Sequence, residues 1–210
     1  MSRTPPAILA MGASTGGPPA LQSILSHLPA ELPVGILVVQ HMPLGFTANF
    51  VHRLNALCRL KVREASGGEI IEPGTVYIAP AGWHMTASRG NPNAFFLQIS
   101  KSPSGMQHIP SVDVLFRSVA ETFRNRAVAV LLTGMGTDGA LGMKAIHDAG
   151  GWTLGQDAAS SAVYGMPRAA AEIGALSRVV PLHQIGSEIL AALACRSTPR
   201  DLSASSHAAG

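Results

Sequence analysis

The chain has 210 residues, 47% hydrophobic and 13% charged, with a formal net charge of +3 and a sequence pI of 9.2. That length suits one domain with a core that needs no disulfide or metal. The low charge excludes a disordered chain, and no apolar run nears the roughly 18 residues of a membrane span. Its 15 Lys and Arg residues are scattered singly and aromatics make up 5%, so nothing marks a nucleic-acid surface. Cys58 and Cys195 form no C-x-x-C and read as buried small apolar residues of a reducing compartment. The opening apolar stretch is too short for a signal peptide, so the expected location is the cytoplasm.

In chain order, Ala7–Met11 is an apolar run closed by Gly12, and it predicts a buried strand. Pro18–Leu28 follows with Leu21, Ile24, Leu25 and Leu28 at helical spacing. Gly35–Val39 is a second strand, and Thr47–Leu57 a second helix with Phe50, Val51, Leu54 and Leu57 on one face. From Lys61 to Ile99, Pro73-Gly74 and Pro80-Ala-Gly82 punctuate short runs, which predicts a β-hairpin-rich insertion. Residues 100–109 form a polar loop. Ser111 is an N-cap for a helix striped by Val112, Leu115, Phe116, Val119 and Phe123. Ala127–Leu132 is a third buried strand, and Ala140–Ala149 the helix after it. Trp152–Leu154 and Arg178–Val180 are shorter strands around a helix near Pro167–Ile173, and a last helix runs from His183 to Ala194. The expected domain is 1–195, with 196–210 a disordered Ser/Ala-rich tail.

Strands alternating with helices, and apolar throughout, imply a doubly wound α/β fold. Its sheet is mostly parallel, with helices on both faces and a β-hairpin insertion. Such sheets bind ligands beyond the carboxyl ends of their strands. The first strand ends at Gly12-Ala-Ser-Thr-Gly-Gly17, the second at Gln40-His41-Met42-Pro43 and the third at Gly134-Met-Gly-Thr-Asp138. Ser14, His41 and Asp138 thus share one edge: a hydroxyl nucleophile, a base for its proton and a carboxylate to orient the base.

Each has a rival reading. Gly12-Ala-Ser-Thr-Gly16 fits G-x-S-x-G, but it also fits a phosphate-binding turn at a helix start. His41 alone could be an ordinary loop histidine, and Asp138 an N-cap for the helix that follows. His183 competes for the base, since Ser14, Asp138 or Asp157, then His183 is the α/β-hydrolase order. No H-E-x-x-H or Cys/His cluster occurs, so neither a metal nor another cofactor is expected.

Ser14-Thr-Gly-Gly17, Gln40-His41-Met42-Pro43, Pro110-Ser-Val-Asp-Val-Leu-Phe116, Leu132-Thr-Gly-Met-Gly-Thr-Asp-Gly139 and Tyr164-Gly-Met-Pro-Arg168 occur in that order. Together they resemble the catalytic domain of bacterial chemotaxis protein-glutamate methylesterases of the CheB type, over roughly residues 7 to 194. The resemblance implies Ser14 as nucleophile, His41 as base and Asp138 as third member, which demotes His183. It also implies a serine hydrolase that demethylates glutamate methyl esters, and deamidates glutamines, on cytoplasmic helices of methyl-accepting chemoreceptors. Thr15, Gly16 and Met135 are candidates for holding the oxyanion or substrate, with Thr15 also a candidate to hold Ser14 or His41. Gln156-Asp157 and Tyr164–Arg168 are candidate cleft walls, and Met42, Met135 and Met166 candidate packing around the site. Members of this family usually carry an N-terminal receiver domain. Here the resemblance begins at residue 7, so the expectation is a site without phosphorylation control in this chain, open to a separate regulatory protein. Two alternatives are a non-catalytic module using Gly12–Gly17 for a phosphate or nucleotide, and a small-molecule esterase.

Overall fold

A computed structural model describes residues 7–90 and 94–197. Seven strands form one sheet in the order β3-β4-β2-β1-β7-β8-β9. They are β1 (Ile8–Ala13), β2 (Gly35–Gln40), β3 (Lys61–Glu64), β4 (Thr75–Ile78), β7 (Ala127–Leu131), β8 (Trp152–Gln156) and β9 (Arg178–Val180), and every neighbouring pair is parallel. The remaining two, β5 (His84–Arg89) and β6 (Phe95–Ser100), pair antiparallel as a separate hairpin.

The central strand β1 is buried along its length because it faces a core on each side. Leu9, Met11 and Ala13 point to one, while Ile8 and Ala10 point to the other, as the two-residue period of a strand requires. The first core is closed by α1 (Gly17–Leu25), α2 (Thr47–Leu57) and α6 (Leu182–Ser197), which contribute Leu21, Ile24, Phe50, Leu54, Ile185 and Ile189. The second is closed by α3 (Val112–Phe123), α4 (Ala140–Asp148), α5 (Met166–Glu172) and the hairpin. Each such side chain contributes about 1.5–3 kcal/mol on burial. The stripe Val112, Leu115, Phe116, Val119 and Phe123 is buried as its spacing predicts, and Ser111 is the N-cap of α3.

The doubly wound reading holds, with one difference in the 61–99 segment. Only β5 and β6 form the hairpin; β3 and β4 extend the main sheet. Their all-buried Thr75–Ile78 run packs against β2, while Lys61–Glu64 is the sheet's edge and keeps its polar side chains outward. The hairpin takes a helix's place on the second face, tied to α3 where the Ser118 hydroxyl accepts from Ala87 N–H and Thr122 donates to Ala87 O. The last helix reaches Ser197, so the expected boundary at 195 falls inside it; the rest of the proposed tail lies outside the described residues. No described helix is long and apolar enough to cross a membrane.

Candidate active site

The strand order turns about β1, with β2 on one side and β7 on the other. The crevice of an open α/β sheet forms at such a reversal. Three backbone hydrogen bonds stitch the strand ends there: Ser14 N–H to Thr133 O (3.0 Å), His41 N–H to Ala13 O (3.0 Å) and Leu132 N–H to Gly12 O (2.9 Å). Ala13 pairs with Gln40, so Ser14 and His41 are the next residues out on adjacent parallel strands, whose axes lie about 5 Å apart. The Gln40 side chain is buried, and its amide donates to the carbonyls of both Ser14 (2.9 Å) and His41 (2.8 Å).

Past Ser14 the chain turns sharply into α1. Gly16 sits at φ +80°, a left-handed conformation that suits glycine, and Pro18 and Pro19 open the helix where no N–H is needed. The turn is packed as well as bent, since a Cβ on Gly17 would meet Gln40 Oε1 at 1.9 Å. Across the crevice, a Cβ on Gly134 would lie 2.8 Å from Ser14 Cβ. The amides of Ser14, Gly17 and Gly134 bind the carbonyls of Thr133, Ser14 and Val163. Among the described residues, the amides of Thr15, Gly16 and Met135 find no acceptor, which leaves donors in the turn after Ser14 and in the loop after Gly134.

The carboxylate of Asp138 meets His41 Nε2 at 2.8 Å. It does not cap its own helix: the N-cap of α4 is Gly139, with no side-chain cap. Instead it fills the N-terminus of α3, where Oδ1 accepts from Ser111 Oγ (2.8 Å) and Asp113 N–H (3.0 Å), and Oδ2 from Val112 N–H (2.7 Å). The capping reading thus holds for a different helix, and it coexists with the contact to His41. Burial alone would push the Asp138 carboxyl up; the bonds from His41, Asp113, Val112 and Ser111 outweigh it and lower it from 3.8 to about 2. Asp113 returns the favour to α4 by accepting Gly142 N–H at 2.6 Å. Burial, opposed by that bond and aided by Asp138, pushes the Asp113 carboxyl up.

An ionised carboxylate only accepts, so the proton between His41 and Asp138 belongs to His41 Nε2. The lone pair then sits on Nδ1, which is buried and without a hydrogen-bond partner. This reverses the more familiar arrangement, in which Nδ1 faces the carboxylate and Nε2 the serine. The Ser14 hydroxyl does not donate to Nδ1 in this unliganded structure.

The other expectations sort cleanly. His183 is exposed on α6 and lines a groove with Ser23 and His27, apart from Ser14. Asp157 caps its own turn through Ser160. Gln156 is no cleft wall, because it is fully buried and its Oε1 accepts from Thr133 N–H (2.9 Å). Tyr164 and Arg168 do line a pocket of about 410 Å³ with Met135, Gly136 and Thr137. Thr15 is exposed and bonds neither Ser14 nor His41; its carbonyl instead accepts from Thr133 Oγ1 (2.9 Å). Met166 packs fully buried and Met42 partly so, whereas Met135 is 71% exposed.

Two histidines escaped the sequence reading. The His108 ring stacks on His41 with centroids 4.2 Å apart and planes 19° from parallel. His84 is fully buried behind Ser111, its Nδ1 accepting Ser111 N–H (3.1 Å) and its Nε2 donating to Pro103 O (3.2 Å). Burial pushes the His84 imidazole down, with Pro103 and Asp138 opposing. Neither carries a spacing signal that separates it from an ordinary histidine.

The chain matches the CheB methylesterase family model over residues 9–189. It is 49% identical over 184 residues to a protein-glutamate methylesterase/protein-glutamine glutaminase of Escherichia coli K12, and 48% identical over 184 residues to that of Salmonella typhi. Each alignment covers 88% of this chain and 52% of the relative, so the chain spans about half the length of those proteins. The crystal structure of the Thermotoga maritima CheB methylesterase catalytic domain superposes with a TM-score of 0.86 at 37% identity, covering 90% of this chain and 99% of that one. With the family model spanning most of its length and that catalytic domain matched almost end to end, the chain belongs to the CheB methylesterase family.

Proposed function

We propose that the chain is a serine hydrolase that cleaves glutamate γ-methyl esters on a signalling protein, through an acyl-enzyme on Ser14. One observation carries this reading: on the strand next to Ser14 stands a histidine whose Nε2 is bound to an ionised carboxylate and whose Nδ1 is buried with a free lone pair. The family's relatives, named for acting on protein glutamate esters and glutamines, supply the substrate class.

Ser14 Oγ attacks the ester carbonyl as His41 Nδ1 takes its proton. Asp138 keeps Nε2 protonated and offsets the charge of the imidazolium that forms. The oxyanion faces the free amides of Thr15 and Gly16 at the start of α1 and of Met135 across the crevice, and each such donor contributes roughly 100- to 1,000-fold in rate. His41 passes its proton to the departing methoxide, which leaves as methanol. A water then gives a proton to Nδ1 and attacks the acyl carbonyl, releasing glutamate and restoring Ser14. A glutamine side chain follows the same course with ammonia leaving. The proton transfer needs a Ser14–His41 hydrogen bond that forms when substrate is bound.

The substrates in this reading are cytoplasmic helices of chemoreceptor-type proteins, which puts the reaction in the cytoplasm. Methanol release from a methylated receptor fragment tests the assignment. Wild type turns over, while Ser14→Ala loses at least about 10⁴-fold together with fluorophosphonate labelling. Labelling that persists in Ser14→Ala removes Ser14 from the chemistry, and a wild type that neither labels nor turns over favours a binding module.

A further inference from the structure

His41 is tethered at its backbone and at one ring atom. Gln40 and Ala13 hold the main chain, and Asp138 holds Nε2. A ring fixed at one nitrogen can still swing about that hydrogen bond, and the swing would carry Nδ1 away from Ser14. The 101–110 loop between β6 and α3 supplies what is missing. It lays the His108 ring flat on the His41 ring at 4.2 Å. The loop itself is clasped near both ends: the buried His84 donates to Pro103 O and accepts from Ser111 N–H, and Ile109 O accepts from Gly82 N–H at 3.0 Å.

We propose that His108, seated by the His84 clasp, is a positioning residue that fixes the plane of the His41 imidazole and thereby aims Nδ1 at Ser14. The inference rests on the Ser14–His41 reading given above. A flat aromatic face does two things here. It blocks rotation of the base out of line, and it offers a π surface to the imidazolium formed when His41 takes the serine proton. Burial, and then the neighbouring His41, push the His108 imidazole below its ordinary value against the pull of Asp138. Neither role needs a His108 nitrogen, so a phenyl ring can replace the imidazole but a methyl group cannot.

That difference is the test. With a peptide bearing one glutamate γ-methyl ester, methanol release by His108→Ala shows kcat reduced by about 10- to 100-fold with KM changed by no more than about twofold. His108→Phe recovers most of the loss. Nitrogen-15 spectra of the histidine-labelled chain give a readout independent of turnover. His41 keeps the Nε2–H tautomer set by Asp138 in all three chains, with sharp ring-nitrogen signals in wild type and His108→Phe and exchange-broadened ones in His108→Ala, where the ring swings. Wild-type kcat in His108→Ala, or His108→Phe as slow as His108→Ala, overturns the proposal while leaving the Ser14 reading intact. Absence of turnover in wild type overturns the Ser14 reading instead, and the broadening of the His41 ring signals still decides the role of His108.

Discussion

The helices α1 and α3 both begin at the same edge of the sheet, yet their N-termini are finished in opposite ways. The start of α3 is saturated: Ser111 caps it, and Asp138 from a neighbouring loop takes its first amides. The start of α1 has a bare glycine for its N-cap, no side-chain cap, and unpaired amides beside Ser14. A helix N-terminus favours negative charge in either case. The filled one holds a permanent anion, which fixes the histidine tautomer. In the reading proposed above, the open one is left for an anion that exists only during the reaction. One physical device thus serves both a standing and a passing charge, and the two differ only in whether the chain itself supplies the occupant.

The sharpest way to break this contrast is Asp138→Asn. Four donors converge on two oxygens that can only accept. An amide must turn N–H groups toward some of them, and toward His41 Nε2 it would enforce the opposite tautomer. The expected outcome is kcat lower by about 10⁴-fold, read as methanol release. A smaller effect comes from protons alone. Because the folded Asp138 carboxyl sits at about 2 rather than 3.8, its contribution of about 2 kcal/mol is complete above pH 4 and fades as pH falls toward 2. Urea unfolding at pH 5 and pH 2.5 measures it, and Asp138→Asn flattens that slope. The smallest effect tests the open end. Gly16→Ala places a Cβ at φ +80° and 2.6 Å from Ala162 Cβ, costing about 1–2 kcal/mol of stability by thermal melting. Its rate falls further than its stability if the turn's amides serve the oxyanion.

Much of this was legible in the residues. The buried strands declare themselves by apolar runs, and the rule that parallel sheets work at their carboxyl edge brings Ser14, His41 and Asp138 to one place. The stripe and cap of α3 are read directly from Ser111 to Phe123. Other features depend on contacts that periodicity does not encode. Lys61–Glu64 reads as hairpin because an edge strand is short and half polar, so nothing in it distinguishes a parallel partner from an antiparallel one. Asp138 looks like a cap for α4 because capping is a local pattern, whereas the helix it caps lies 25 residues upstream. Gln156 looks like loop chemistry but is a buried brace for Thr133. His84 and His108 join the site only through the packing of the hairpin and the loop after it.

Gln40 deserves a last consequence. One carboxamide grips the main chain of both the alcohol-bearing and the imidazole-bearing residue. Breathing of the sheet therefore carries the two as a yoked pair, and their separation is insulated from motions elsewhere in the fold. In the reading proposed above, this edge can flex along its rim without loosening the spacing on which proton hand-over depends.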